Sequence, residues 1–231
     1  LDINQLANST SRAKDVIGSH FFSPANVMKL LEIVRTTRTA PDVAKTLLDL
    51  SRKIGKIPVV VGLCHGFVGN RMLKGYGRQT QLMLLEGATP QQIDSVMEGW
   101  GLAMGPLAVS DLAGLDIGYR SRRDQGLVSG ELPEFALPDA LVELDRLGQK
   151  SGSGYYQYDE ETRARQIDPE VENLLTDIAT RFEINRHPVS EEVILDRLLL
   201  ALVNEGARIL EEGIAARPSD IDIVYLNGYG F

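Results

Sequence analysis

Arg71, Leu73, Leu84, Glu86 and Gly87 recur further along the chain as Arg197, Leu199, Leu210, Glu212 and Gly213, all at one offset. After a two-residue insertion, Pro90, Ile93, Asp94 and Val96 recur as Pro218, Ile221, Asp222 and Val224. Gly99-Trp100-Gly101 and Gly228-Tyr229-Gly230 match nearly, one residue out of register. An ordered series of this kind is the signature of a duplicated supersecondary unit. Each copy reads as a long helix ended by glycine, then a second helix entered through proline. An amphipathic unit must bury its apolar face, and its own duplicate is the nearest partner, so an internal pseudo-dimer is expected.

The stretch before the first copy has a different pattern. Short apolar runs at 16–22, 30–34 and 57–61 read as strands. Between the last two, Val43, Leu47, Leu50 and Ile54 fall at helical spacing, with Pro41 at the start and Gly55 past the end. Strand, helix, strand in that order reads as the tail of a βαβ sheet. From Gly66 onward helices are expected over 68–86, from Pro90 through Met97, within the glycine-rich 99–118, and over 131–149, 170–182 and 193–212. A turn at 152–154 and a polar linker at 159–169 separate them. The expected layout is an α/β region over 1–62, a first helical copy over 63–160, and a linker with a second, truncated copy over 161–231. The chain is mainly α overall.

Composition excludes several roles. The 24 Lys+Arg against 32 Asp+Glu leave a formal charge of −8, which argues against a nucleic-acid groove. The longest apolar runs, such as 198–203, are too short to span a bilayer. A single cysteine, Cys64, permits no internal disulfide. The chain starts at Leu1 and stops at Phe231, and both ends read as cut from something longer.

Of the three histidines, His20 stands at the carboxyl end of the first strand, where ligands bind in open α/β sheets. Twelve residues on, Glu32 lies inside an apolar strand and shares a face with Leu30 and Val34. Either it reaches solvent from an edge strand, or it is buried and orients a histidine on the neighbouring strand, the pairing that general-base catalysis uses. Asn70 stands at the entry of the long helix. The duplicate keeps Arg71 as Arg197 but has Asp196 in place of Asn70, which marks Asn70 as special to one copy. His65 and His187 have no carboxylate patterned with them. Cys64 has no base beyond the adjacent His65, and neighbours on a strand point apart. No cluster has zinc spacing, and neither a Walker loop nor a G-x-G-x-x-G turn follows any strand.

His20-Phe21-Phe22-Ser23-Pro24, Glu32 and Gly66-Phe67-Val68-Gly69-Asn70-Arg71 together resemble the 3-hydroxyacyl-CoA dehydrogenases. So do Met104-Gly105-Pro106, the run from Asp111 to Asp116, and Lys150-Ser151-Gly152-Ser153-Gly154-Tyr155-Tyr156. The duplication, with Leu63-Cys64-His65-Gly66-Phe67, resembles the multifunctional β-oxidation enzymes that join an enoyl-CoA hydratase to the dehydrogenase. The resemblance implies a Rossmann-type remnant followed by an all-α duplicated domain. It also implies oxidation of L-3-hydroxyacyl-CoA to 3-ketoacyl-CoA with NAD as cofactor, in fatty-acid oxidation.

By the same resemblance His20 is the general base, Glu32 its orienter, and Asn70 a residue that holds the substrate. Ser23 stands where the family usually has a cofactor-contacting asparagine; being shorter, it loses that contact or makes it through water. The nucleotide fingerprint and a catalytic serine belong upstream of Leu1, so the chain alone is expected to be inactive and not to bind NAD. The implied partners are the acyl-CoA and the upstream nucleotide and hydratase domains, with no nucleic acid and no membrane span. A bacterial cytoplasmic setting is expected ahead of a peroxisomal one. Two rivals are a non-catalytic helical packing or dimerisation module and a short-chain 3-hydroxybutyryl-CoA dehydrogenase. The duplication argues against the second, since single-function relatives typically carry one helical unit.

Overall fold

The computed structural model describes residues 2–127 and 131–229. The chain divides into two compact units. One comprises residues up to Gly75 together with those from Ala201 onward; the other is Tyr76–Leu200.

The first unit opens with helix α1 (Ile3–Asn8), which the sequence pattern misses. It is too short to show a period: only Ile3 and Ala7 are buried, and Asp2 caps it by accepting from the Gln5 amide at 3.1 Å. Strands β1 (Gly18–Phe21), β2 (Leu30–Arg35) and β3 (Ile57–Gly62) form one sheet in that order. Helix α2 (Pro41–Lys53) connects β2 to β3, which run parallel as a βαβ crossover requires. β1, however, runs antiparallel to β2. The carboxyl-end rule for parallel strands therefore does not place His20; register does, because His20 stands directly opposite Glu32. β2 is buried from Leu30 through Val34, and both α2 and the last helix, α10 (Pro218–Gly228), contact β2 and β3.

Helix α3 (Phe67–Glu86) has 20 residues and α9 (Glu191–Glu211) has 21, while α4 (Pro90–Trp100) and α10 have 11 each. Gly87 and Gly213 end the long helices at positive φ, +128° and +68°. The duplicated helices meet through reciprocal ion pairs. In the first unit Arg71 donates to Glu205 at 2.6 Å and to both oxygens of Glu212 at 2.6 and 2.8 Å. In the second unit Arg197 donates to Gln79 at 2.9 Å and grips both oxygens of Glu86. Each contact uses the same positions of the repeat with the roles of the copies exchanged. In the near-match of Gly99-Trp100-Gly101 to Gly228-Tyr229-Gly230, Gly230 lies outside the described residues.

The second unit also holds α5 (Pro106–Ala113), α6 (Leu115–Asp124), α7 (Pro133–Glu143) and α8 (Pro169–Arg181). The glycine-rich 99–118 thus carries α5 and the start of α6. The segment expected as a linker is ordered into a hairpin, with β4 (Gln157–Tyr158) pairing β5 (Arg165–Gln166). Its polar residues make the turn: Asp159 accepts from the Glu161 and Thr162 amides and from the Thr162 hydroxyl.

Three sequence motifs of this unit converge on two buried carboxylates. Asp94 accepts from the Leu107 and Ala108 amides at 2.9 Å and from the Tyr156 hydroxyl at 2.8 Å. Asp111 accepts from the Tyr155 and Tyr156 amides and the Tyr158 hydroxyl, at 3.0–3.1 Å. A Cβ on Gly105 would sit 2.3 Å from Asp94, and one on Gly154 only 2.0 Å from Asp111. Lys150 pairs with Asp116, and its hydrogen bond, with its charge, holds that carboxyl below the usual range. Met104-Gly105-Pro106, the Asp111–Asp116 run and the Lys150–Tyr156 run are thus one packing keystone.

Candidate active site

The strand pairing that sets His20 against Glu32 brings His20 Nδ1 to 2.6 Å from Glu32 Oε2. The Glu32 side chain is wholly buried and that of His20 is 27% exposed. A buried carboxylate needs partners on every lone pair it exposes to the protein. Glu32 finds them at the start of α3: its Oε1 accepts from the Val68 and Gly69 amides at 3.0 and 3.1 Å. Those are first-turn amides with no partner inside the helix, at the positive end of its dipole. One carboxylate therefore caps α3 and holds the histidine ring.

The ring is framed by aromatics. Its centroid lies 4.8 Å from that of Phe22 and 5.3 Å from that of Phe67, both tilted. Phe67 opens α3 with φ +53°, a left-handed conformation that a bulky residue rarely adopts. With Nδ1–H donated to Glu32, the lone pair of His20 is on Nε2, the arrangement that lets an imidazole accept a proton.

Asn70 is exposed in the first turn of α3, three residues past Phe67. Its Oδ1 accepts from the Tyr229 hydroxyl at 3.0 Å. Tyr229 follows α10, makes an edge-on contact with Phe22 at 5.6 Å, and stacks obliquely on Tyr225 at 5.2 Å. Burial pushes its hydroxyl well above the ordinary phenol range, with Tyr225 and the Glu32 charge adding to the shift, so it stays a donor. Sequence reasoning misses Tyr229, Phe22 and Phe67. The one sequence signal for Tyr229 is its near-match to Trp100 across the duplication.

Of the expected residues, the structure brings His20, Glu32 and the start of α3 together. Ser23 lies exposed beyond β1, joined to Pro24 by a cis bond, and makes no hydrogen bond to the pair. Cys64 is not on a strand; its thiol donates to the Phe67 carbonyl at 3.1 Å, and burial raises its pKa. His65 and His187 are exposed. Among the described residues no group of His, Cys, Asp and Glu could hold a metal ion, and no helix is long and apolar enough to cross a membrane.

Two family models match the chain: 3-hydroxyacyl-CoA dehydrogenase, NAD binding domain, over residues 1–64, and 3-hydroxyacyl-CoA dehydrogenase, C-terminal domain, over residues 66–158. The whole chain is 48% identical to the peroxisomal bifunctional enzyme of Pongo abelii and 34% identical to the fatty acid oxidation complex subunit alpha of Acinetobacter baylyi. It spans about a third of the length of these relatives, 34% and 33%. All of it superposes on 52% of the dehydrogenase part of multifunctional enzyme 1 from C. elegans, at 33% identity and a TM-score of 0.71. All of it also superposes on 64% of 3-hydroxybutyryl-CoA dehydrogenase from Escherichia coli, at 23% identity and a TM-score of 0.76.

Proposed function

Because the chain belongs to the 3-hydroxyacyl-CoA dehydrogenase family, we propose that its parent enzyme oxidises L-3-hydroxyacyl-CoA to 3-ketoacyl-CoA in fatty-acid oxidation. The observation that carries this is the His20–Glu32 contact of 2.6 Å, with the other Glu32 oxygen fixed by two helix amides. In this reading His20 Nε2 takes the proton from the 3-hydroxyl as the carbonyl forms at C3. Glu32 holds the ring in the tautomer that leaves Nε2 free and stabilises the imidazolium that results. Asn70 hydrogen-bonds the reacting oxygen or the adjacent thioester and fixes the acyl group, a positioning role. Phe22 and Phe67 keep water from the faces of the ring.

When bound, NAD would supply the acceptor for the hydride that leaves C3. The described residues fit one wall of such a site, through His20 and Ser23. They offer no pyrophosphate cradle: the turn from β2 into α2 holds Thr36, Thr37, Arg38, Thr39 and Ala40 without a glycine, and Ala40 caps α2 with no side-chain bond. We assign the pyrophosphate to a nucleotide-binding segment upstream of Leu1, and propose an α/β region over 1–62, then helical copies over 63–160 and 161–231. The relatives divide into a peroxisomal and a bacterial type, with the higher identity on the peroxisomal side.

The test is turnover by the full-length parent enzyme. L-3-hydroxyacyl-CoA with NAD should yield NADH, and the D-isomer should not. Equal turnover of both isomers, or of neither, would count against the reading.

A further inference from the structure

We propose that Tyr229 is a positioning residue of this site: its hydroxyl holds the Asn70 carboxamide by the oxygen, so that the amide N–H donors are presented to the substrate. The inference rests on the reading of Asn70 as a substrate-holding residue and extends it to the second helical copy.

Three residues special to one copy make the contact, and the duplication shows that each is a departure. Asn70 corresponds to Asp196, and Gly69 corresponds to Leu195. Tyr229 is the near-match of Trp100. The glycine is required by close approach: a Cβ on Gly69 would lie 2.8 Å from the Tyr229 hydroxyl oxygen, 3.0 Å from its ring and 3.2 Å from Phe22. A leucine there, as in the other copy, has no room. Gly228, the last residue of α10, is equally constrained, since its Cβ would fall 2.7 Å from Leu30 and 3.1 Å from Phe22. Two side-chain-free positions thus let the end of α10 close on the first turn of α3 and put the Tyr229 hydroxyl 3.0 Å from Asn70 Oδ1.

The chemistry follows from the donor inventory. A carboxamide has one acceptor oxygen and one donor nitrogen. An exposed Asn is otherwise free to rotate and to flip, presenting acceptor or donor to the substrate. A hydroxyl fixed by packing against Phe22 and Tyr225 takes the oxygen, and only the nitrogen is left to face the substrate. The substrate oxygens at the reacting end, hydroxyl becoming carbonyl and thioester carbonyl, need donors. An aspartate, as in the duplicate, could supply none.

The experiment is a double-mutant cycle in the full-length parent enzyme, reading kcat and both KM values for Tyr229→Phe, Asn70→Ala and the pair. Tyr229→Phe should lower kcat/KM for the acyl-CoA about three- to tenfold, the worth of one neutral hydrogen bond, with KM for NAD unmoved. In the Asn70→Ala background the same change should have no further effect. Gly69→Ala, whose Cβ pushes the tyrosine away while leaving its hydroxyl chemically intact, should reproduce the loss. If Tyr229→Phe lowers activity equally in both backgrounds, the tyrosine acts through packing and the proposal is overturned. It is likewise overturned if Asn70→Ala costs activity and Tyr229→Phe costs none. If Asn70→Ala itself costs nothing, the fault lies in the reading of Asn70, and Tyr229 falls with it.

Discussion

Glu32 holds His20 with one carboxylate oxygen and caps helix α3 with the other, at 2.6 Å on the first side and 3.0 and 3.1 Å on the second. Charge and geometry are both used, so the isosteric amide is a poor substitute. In Glu32→Gln the oxygen stays with the Val68 and Gly69 amides, and the NH2 turns to His20. It then donates to Nδ1, which forces the ring proton onto Nε2 and removes the base. Glu32→Gln in the full-length parent enzyme should therefore cost about 10²-fold or more in kcat, approaching the loss of the histidine itself. Near-normal kcat in this variant would show that Glu32 is a helix cap only.

The reciprocal ion pairs of the duplicated helices predict a stability effect with no kinetic one. Arg197 grips Glu86 with both nitrogens and is 28% exposed, so screening discounts the pair only in part. Arg197→Ala should lower stability by about 1 kcal/mol in urea unfolding and leave kcat unchanged. An unmoved urea midpoint would mean that the pair is ornamental.

Most of the architecture is legible from periodicity, and its failures have physical causes. The duplication, the βαβ crossover and the His20–Glu32 pairing all follow from local pattern, because residues opposite one another on adjacent strands obey alternation. The antiparallel direction of β1 is not legible, since a four-residue strand carries no sign of direction. The hairpin at 157–166 hides because its turn is made by polar side chains that read as a linker. Tyr229 hides because its role depends on α10 returning to the sheet, 159 residues away from Asn70 in sequence. The glycines at 69 and 228 carry the trace of that return, but only as vacancies whose neighbour the sequence does not name.

Asp111 gives the second unit a pH signature. Burial pushes its carboxyl up to about 6 from an ordinary 3.8, the Asp94 charge adds to this, and three hydrogen bonds offset only part of it. The folded state thus binds the proton more tightly than the unfolded one. The stability this contributes is fully present below pH ~4 and is lost as pH rises to about 6. Wild type should therefore exceed Asp111→Asn in stability by more at pH 4 than at pH 7, the gap changing by up to about 3 kcal/mol. Urea unfolding at the two pH values measures it; a gap that widens toward pH 7 would reverse the assignment.

The central claim is that His20 Nε2 accepts the substrate proton, and the most direct measurement is kcat of His20→Ala in the full-length parent enzyme under saturating L-3-hydroxyacyl-CoA and NAD. Removing a positioned general base should lower kcat by about two to four orders of magnitude, with both KM values near wild type. A kcat within a few-fold of wild type would contradict the account, because the base would then have to be another group.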